Sequence, residues 1–90
     1  MVRAFRPQAR LYHFRSHDGL EVDGIVRSSQ HVLPFEVKAS RSVAIRDARS
    51  LARYLELDPQ ARVGLVFYMG AEVFRLTGKI LALPVTALTA

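Results

Sequence analysis

Asp23, Glu36 and Lys38 are the residues whose types and spacing suit this chain to chemistry. One short segment reads Glu21-Val22-Asp23 and the next reads Phe35-Glu36-Val37-Lys38. Hard carboxylate oxygens such as those of Asp23 and Glu36 suit magnesium or manganese, with water and phosphate oxygens completing the shell. A metal held that way activates water and stabilises the charge that builds on a scissile phosphate. Lys38, two residues beyond Glu36, is expected on the same face, where it would orient the attacking water or neutralise the phosphorane. Glu21 extends the acidic cluster or ties Lys38 down, and His13 is expected beside Asp23. The competing reading is a salt-bridged outer face of a hairpin, because an exposed Glu–Lys pair usually belongs to a solvated surface.

Positioning these groups requires two hairpins. Leu11 to Ser16 alternates, with Tyr12 and Phe14 on one side and His13 and Arg15 on the other, as a half-buried strand does. His17-Asp18-Gly19 reads as a three-residue loop with Gly19 in the left-handed position. That loop sets Phe14 opposite Val22 and His13 opposite Asp23. Leu20, Val22 and Val26 are then expected on one face, and Glu21, Asp23 and Ile25 on the other. Ser29-Gln30 as a two-residue loop sets Asp23 opposite Glu36 and Glu21 opposite Lys38, about 5 Å apart at Cβ. Phe35 and Val37 are expected to share a face with Val22 and Val26. Slipping this register by one residue would bury both carboxylates.

Downstream, Ser40 or Ser42 is placed to cap a helix. Ile45, Ala48, Leu51, Ala52 and Leu55 give it one apolar stripe, and Asp58-Pro59 stops it near Leu57. Arg62 to Met69 is nearly all apolar, as a strand covered on both sides would be. Val73–Leu76 and Ile80–Val85 form a hairpin around Thr77-Gly78-Lys79. The expected order is three antiparallel strands, one crossover helix, a buried strand and a terminal hairpin, in a single domain over residues 11–90. Residues 1–10 read as a lead-in or the remnant of a linker.

The chain is 90 residues long, half of them hydrophobic, and has no cysteine, which excludes disulfides and thiolate metal sites. No apolar run approaches a membrane span and no leader opens the chain, so a soluble cytoplasmic protein without a membrane partner is expected. The net charge of +5 rests on eleven arginines and two lysines. Arginine's planar fork suits phosphate, so Arg15, Arg46, Arg49 and Arg53 are the candidates for contact with DNA; the bland alternative is a solvent face. An exposed sheet edge in so small a chain also admits a homodimer.

An acid on one strand and Glu-x-Lys on the next resembles the PD-(D/E)XK nuclease superfamily. Leu11-Tyr12-His13-Phe14-Arg15, Asp18-Gly19, Glu21-Val22-Asp23, Glu36-Val37-Lys38-Ala39-Ser40 and Ala82-Leu83-Pro84 together resemble a nuclease-like domain of unknown function. That domain occurs at the C-terminus of prokaryotic AAA+-type ATPases. The resemblance implies an α/β, restriction-endonuclease-like mixed sheet. It also implies Mg2+- or Mn2+-dependent phosphodiester hydrolysis by Asp23, Glu36 and Lys38, with the Val37 carbonyl as a further metal ligand. It further implies an ATPase module in a longer parent. Two departures stand out. No helix glutamate precedes the first strand, and Gly78-Lys79 lacks the rest of a phosphate-binding loop. The alternative from a different class is a non-catalytic interaction or regulatory module that keeps the carboxylates as relics.

Overall fold

Alternating apolar residues, tight turns and one proline stop build this chain into a single sheet with a helix on one face. The computed structural model describes residues 10–15 and 19–88. Its strands are β1 (Arg10–Arg15), β2 (Glu21–Arg27), β3 (Val32–Val37), β4 (Gly64–Tyr68), β5 (Phe74–Thr77) and β6 (Ile80–Pro84). Between β3 and β4 lie a 3-10 turn, Ile45–Ala48, and the helix α1, Arg49–Leu57; a second 3-10 turn, Val85–Leu88, follows β6. The strand order is β1-β2-β3-β4-β6-β5. β1, β2 and β3 pair antiparallel, β3–β4 and β4–β6 pair parallel, and β5–β6 pair antiparallel.

The local registers follow the turns. Phe14 lies opposite Val22 and Arg15 opposite Glu21, and Gly19 has φ +92°, the left-handed conformation that favours glycine. The rest of the 17–19 loop, like residues 1–9 of the lead-in, lies outside the described residues. The Ser28 N–H donates to the His31 carbonyl at 2.9 Å, closing a two-residue turn that sets Arg27 opposite Val32 and Gly24 opposite Phe35.

The expected α/β nuclease architecture is corrected by this topology. The protein is mostly strand, one six-stranded mixed sheet against a single nine-residue α-helix. The three antiparallel strands are not a separate unit, because β3 continues by parallel pairing into β4. The helix is short for two physical reasons. At its end Asp58 is already extended (φ −123°, ψ 101°), the conformation that a following proline imposes. At its start the chain takes a tighter 3-10 turn of about three residues per turn, which rotates Ile45 out of the apolar stripe; it is 68 % exposed. Neither serine caps it. Ser40 and Ser42 bond to each other, while the Asp47 carboxylate accepts the Ala44 N–H at 2.8 Å.

The core lies between α1 and one sheet face. Ala48, Leu51 and Tyr54 pack there with Val22, Ile25, Val32, Val66, Ile80 and Ala82. The Tyr54 ring meets Phe14 edge-on at 4.9 Å, and its hydroxyl donates to Asp58 Oδ2 at 2.8 Å. Burial and that bond push its pKa up to about 12. Across the opposite face, Phe35 and Phe67 meet edge-on at 6.0 Å.

Candidate functional site

Faces in β2 do not alternate as the sequence suggests. Between Tyr12–Ile25 and Phe14–Val22 the ladder gains one residue on β2, a bulge at Asp23-Gly24 opposite His13. Val22 and Ile25, three positions apart, therefore both enter the helix-side core. That corrects the expected grouping of Val22 with Val26, while Ile25, opposite Pro34, keeps the face it shares with Glu36. A Cβ at Gly24 would lie 2.3 Å from the Phe35 ring, which would have to move to admit it. A glycine inside a strand was the legible signal for the bulge.

The β2–β3 ladder ends at Gly24–Phe35, next to the bulge, and Asp23 is free for a different bond. Asp23 Oδ2 accepts the Val37 N–H at 2.7 Å, so its carboxylate sits at the edge of β3 next to Glu36. Glu36 follows Val32 and Pro34 on the buried row of β3 and is only 7 % exposed. Glu36 therefore lies on the helix-covered face, whereas Asp23 stays exposed to solvent. Lys38 Nζ stands 3.6 Å from Glu36 Oε1, an ion pair longer than a hydrogen bond. Glu36 Oε2 is buried and, among the described residues, has no hydrogen-bond partner.

A buried, half-satisfied carboxyl resists ionisation. Burial raises the Glu36 pKa above its ordinary value; the Lys38 ammonium opposes this, and the charges of Asp23 and Asp47 add to it. Asp47 is the acid that the sequence reading missed. It sits in the 3-10 turn before α1, and the docking of the crossover brings its charge within reach of Glu36, which no spacing in the sequence reveals.

Glu21 does not join this cluster or bind Lys38. Its Oε2 takes Arg15 at 2.9 Å and His13 Nε2 at 3.2 Å, on the exposed side of the hairpin. His13 Nδ1 lies 3.4 Å from the Asp23 carbonyl, so His13 is a neighbour of the site and touches its backbone. Arg49 and Arg53 border a hollow with Gly19 and Leu20 at the start of β2, the same end of the sheet as the carboxylates. Arg53 also pairs with Glu56 at 3.2 Å. Arg46 lines a separate groove beside Phe74 and Arg75.

Among the described residues, no three histidine, aspartate or glutamate side chains gather closely enough to hold a metal ion by themselves. Asp23 and Glu36 fit magnesium in the way that ion is commonly held, by one or two carboxylates with water and phosphate oxygens filling the other positions. The unpartnered Glu36 Oε2 is the oxygen such an ion would satisfy.

Among the described residues no helix is long and apolar enough to cross a membrane. No curated protein and no solved structure matches the chain. A family model described as "Domain of unknown function (DUF4143)" matches residues 1–88, and the chain belongs to that family.

Proposed function

We propose that this domain binds DNA and hydrolyses its phosphodiester bonds with a divalent metal, magnesium or manganese, held by Asp23 and Glu36. The observation that carries the reading is Glu36 Oε2, a buried oxygen without a partner among the described residues, beside a second carboxylate. Such an arrangement is costly unless a cation or proton neutralises it. Bound there, the metal would polarise a phosphate oxygen and activate water. Lys38 lies beside the same carboxylate and is placed to balance charge on the phosphate. Arg49 and Arg53, at the same end of the sheet, supply cations for the backbone. On this reading the domain is the terminal nuclease-like part of an AAA+-type ATPase. The motif and its geometry support it; the layered nuclease architecture does not enter, since this protein lacks it.

Titration of manganese or magnesium, followed through the side-chain resonances of Asp23 and Glu36, tests the metal. Shifts at millimolar ion are expected, and unchanged resonances would sink the proposal. Cleavage of plasmid and branched DNA should be lost in Lys38→Ala; equal activity in both proteins would mean that the site is not the source.

A second reading, a non-catalytic interaction module, draws on the sheet face opposite α1. Leu33, Phe35, Leu65, Leu81 and Leu83 are partly buried there and Val37 is 44 % exposed. Binding of metal without cleavage of any DNA would favour that module.

A further inference from the structure

We propose that the cavity at the other end of the sheet is a second site, for a phosphate monoester carried on a nucleotide-sized body. The cavity measures about 590 Å3, within the usual range for small-molecule sites. Four of its lining residues carry side-chain donors, Gln30, His31, Gln60 and Arg62, and no aspartate or glutamate lines it. Leu33 and Val63 belong to its apolar wall. The volume far exceeds an inorganic phosphate, so the wall is left for a flat or apolar body behind the anion.

The carboxylate nearest in sequence does not oppose an anion there, because its charge is already engaged. Asp58 accepts from the Tyr54 hydroxyl at 2.8 Å and from the Gln60 N–H at 3.0 Å, and it faces Arg27 at 3.7 Å. Arg27 also donates to Gln60 Oε1 at 3.3 Å. That bond fixes the carbonyl end of the amide on Arg27 and leaves its NH2 end as a donor. Among the described residues, the Arg62 guanidinium and the His31 ring make no hydrogen bond or ion pair that would compete with a ligand. Arginine's fork donates to two phosphate oxygens at once.

The loop that carries these donors is held in place before any ligand arrives. Ala61 bridges to Val32 at the start of β3, and the Ala61 N–H donates to the Asp58 carbonyl at 3.0 Å. Donors ordered in advance lose less entropy on binding. Val32 and Val37 mark opposite ends of β3, roughly 16 Å apart at ~3.3 Å per residue. This site and the Asp23–Glu36 site therefore stand or fall separately.

The phosphate could belong to a free mononucleotide or to the 5′ end of a nucleic-acid strand, and the same experiment separates them. The whole 90-residue chain, labelled with nitrogen-15 and free of added metal, is titrated with adenosine 5′-monophosphate, with adenosine, and with single-stranded oligonucleotides bearing a 5′-phosphate or a 5′-hydroxyl. The amides of His31, Val32, Gln60 and Val63 are followed. Adenosine monophosphate should move them with an affinity about tenfold or more above that of adenosine, the scale of one strong charge-assisted contact. Arg62→Ala should lose about the same factor, Arg62→Lys should fall between, and Arg75→Ala, in the groove beside Phe74, should bind as wild type. Movement by the phosphorylated oligonucleotide alone supports the site and assigns its ligand to a strand end. Equal binding of adenosine and its monophosphate, undiminished binding by Arg62→Ala, or unmoved amides with every phosphorylated probe would overturn the proposal.

Discussion

Glu21 and Glu36 are the same residue type in neighbouring strands, and the protein treats them in opposite ways. Glu21 lies at the surface with Arg15 at 2.9 Å, and that hydrogen bond and charge hold its pKa below the ordinary value. Glu36 is buried with Lys38 at 3.6 Å and one oxygen unpartnered, and its pKa rises. The closer ion pair is the less informative one: an exposed pair is screened and easily replaced by water. A buried carboxyl that its surroundings leave unsatisfied has a free-energy cost that packing alone does not explain. That contrast marks Glu36 as the functional candidate and Glu21 as surface.

The largest effect expected from this contrast is on chemistry. Asp23→Asn keeps an acceptor for the Val37 N–H but removes a charge. Metal-dependent cleavage should fall by roughly 100-fold or more, the scale of several kcal/mol of lost charge stabilisation. Glu21→Gln should cleave as wild type, and equal losses from the two substitutions would erase the distinction between the regions.

Gly24→Ala attacks the bulge that brings Asp23 to the edge of β3. Its Cβ must displace the Phe35 ring, and overpacking of this kind costs about 1–3 kcal/mol, readable as a lower midpoint in urea. Metal affinity should weaken alongside. A stable Gly24→Ala with unchanged metal binding would show that the bulge does not set the site.

Glu36→Gln should make the metal-free protein more stable at pH 7, by ~1 kcal/mol, since it removes a buried charge. In a chain this short that raises the melting temperature by about 4–8 °C. The pH dependence has a fixed sign. A carboxyl whose folded pKa is raised contributes stability that is fully present below its ordinary 4.5 and lost as pH rises through the folded value. Wild type should therefore gain stability as pH falls from neutrality through the folded value towards 4.5, and the gain should shrink in Glu36→Gln. A parallel pH profile in both proteins would refute the assignment.

Glu21→Gln gives the smallest effect. The lowered Glu21 pKa contributes stability present above 4.5 and lost as pH falls through the folded value, the opposite sense to Glu36. Because the group lies at the solvent-accessible surface, thermal melts in moderate salt should not separate the variant from wild type.

Much of the scaffold is legible because turns and stops act locally. Gly19 takes the left-handed conformation that a short hairpin loop needs, and the turn at Ser29-Gln30 sets Gly24 opposite Phe35. Asp58-Pro59 ends the helix at Leu57. Each depends on the conformational limits of a few consecutive residues, which the sequence states directly. The residue types of the candidate site are also read directly from the sequence, since Asp23, Glu36 and Lys38 stand at matched positions around that turn.

What the sequence could not supply was the meaning of those positions. Alternation alone predicts that the carboxylates share the solvent face. The helix crossing between β3 and β4 covers Glu36 instead, and the bulge opposite His13 turns the still-exposed Asp23 onto the Val37 N–H. Helix docking also brings the charge of Asp47 to Glu36 and shrinks the expected α/β architecture to one sheet with a short helix. Burial, charge neighbours and layer count depend on contacts between residues distant in the chain. By itself, then, the sequence determined which residues form the hairpins and where they turn. The tertiary packing decided that Glu36 is buried with an oxygen to satisfy, because only packing decides which face water reaches.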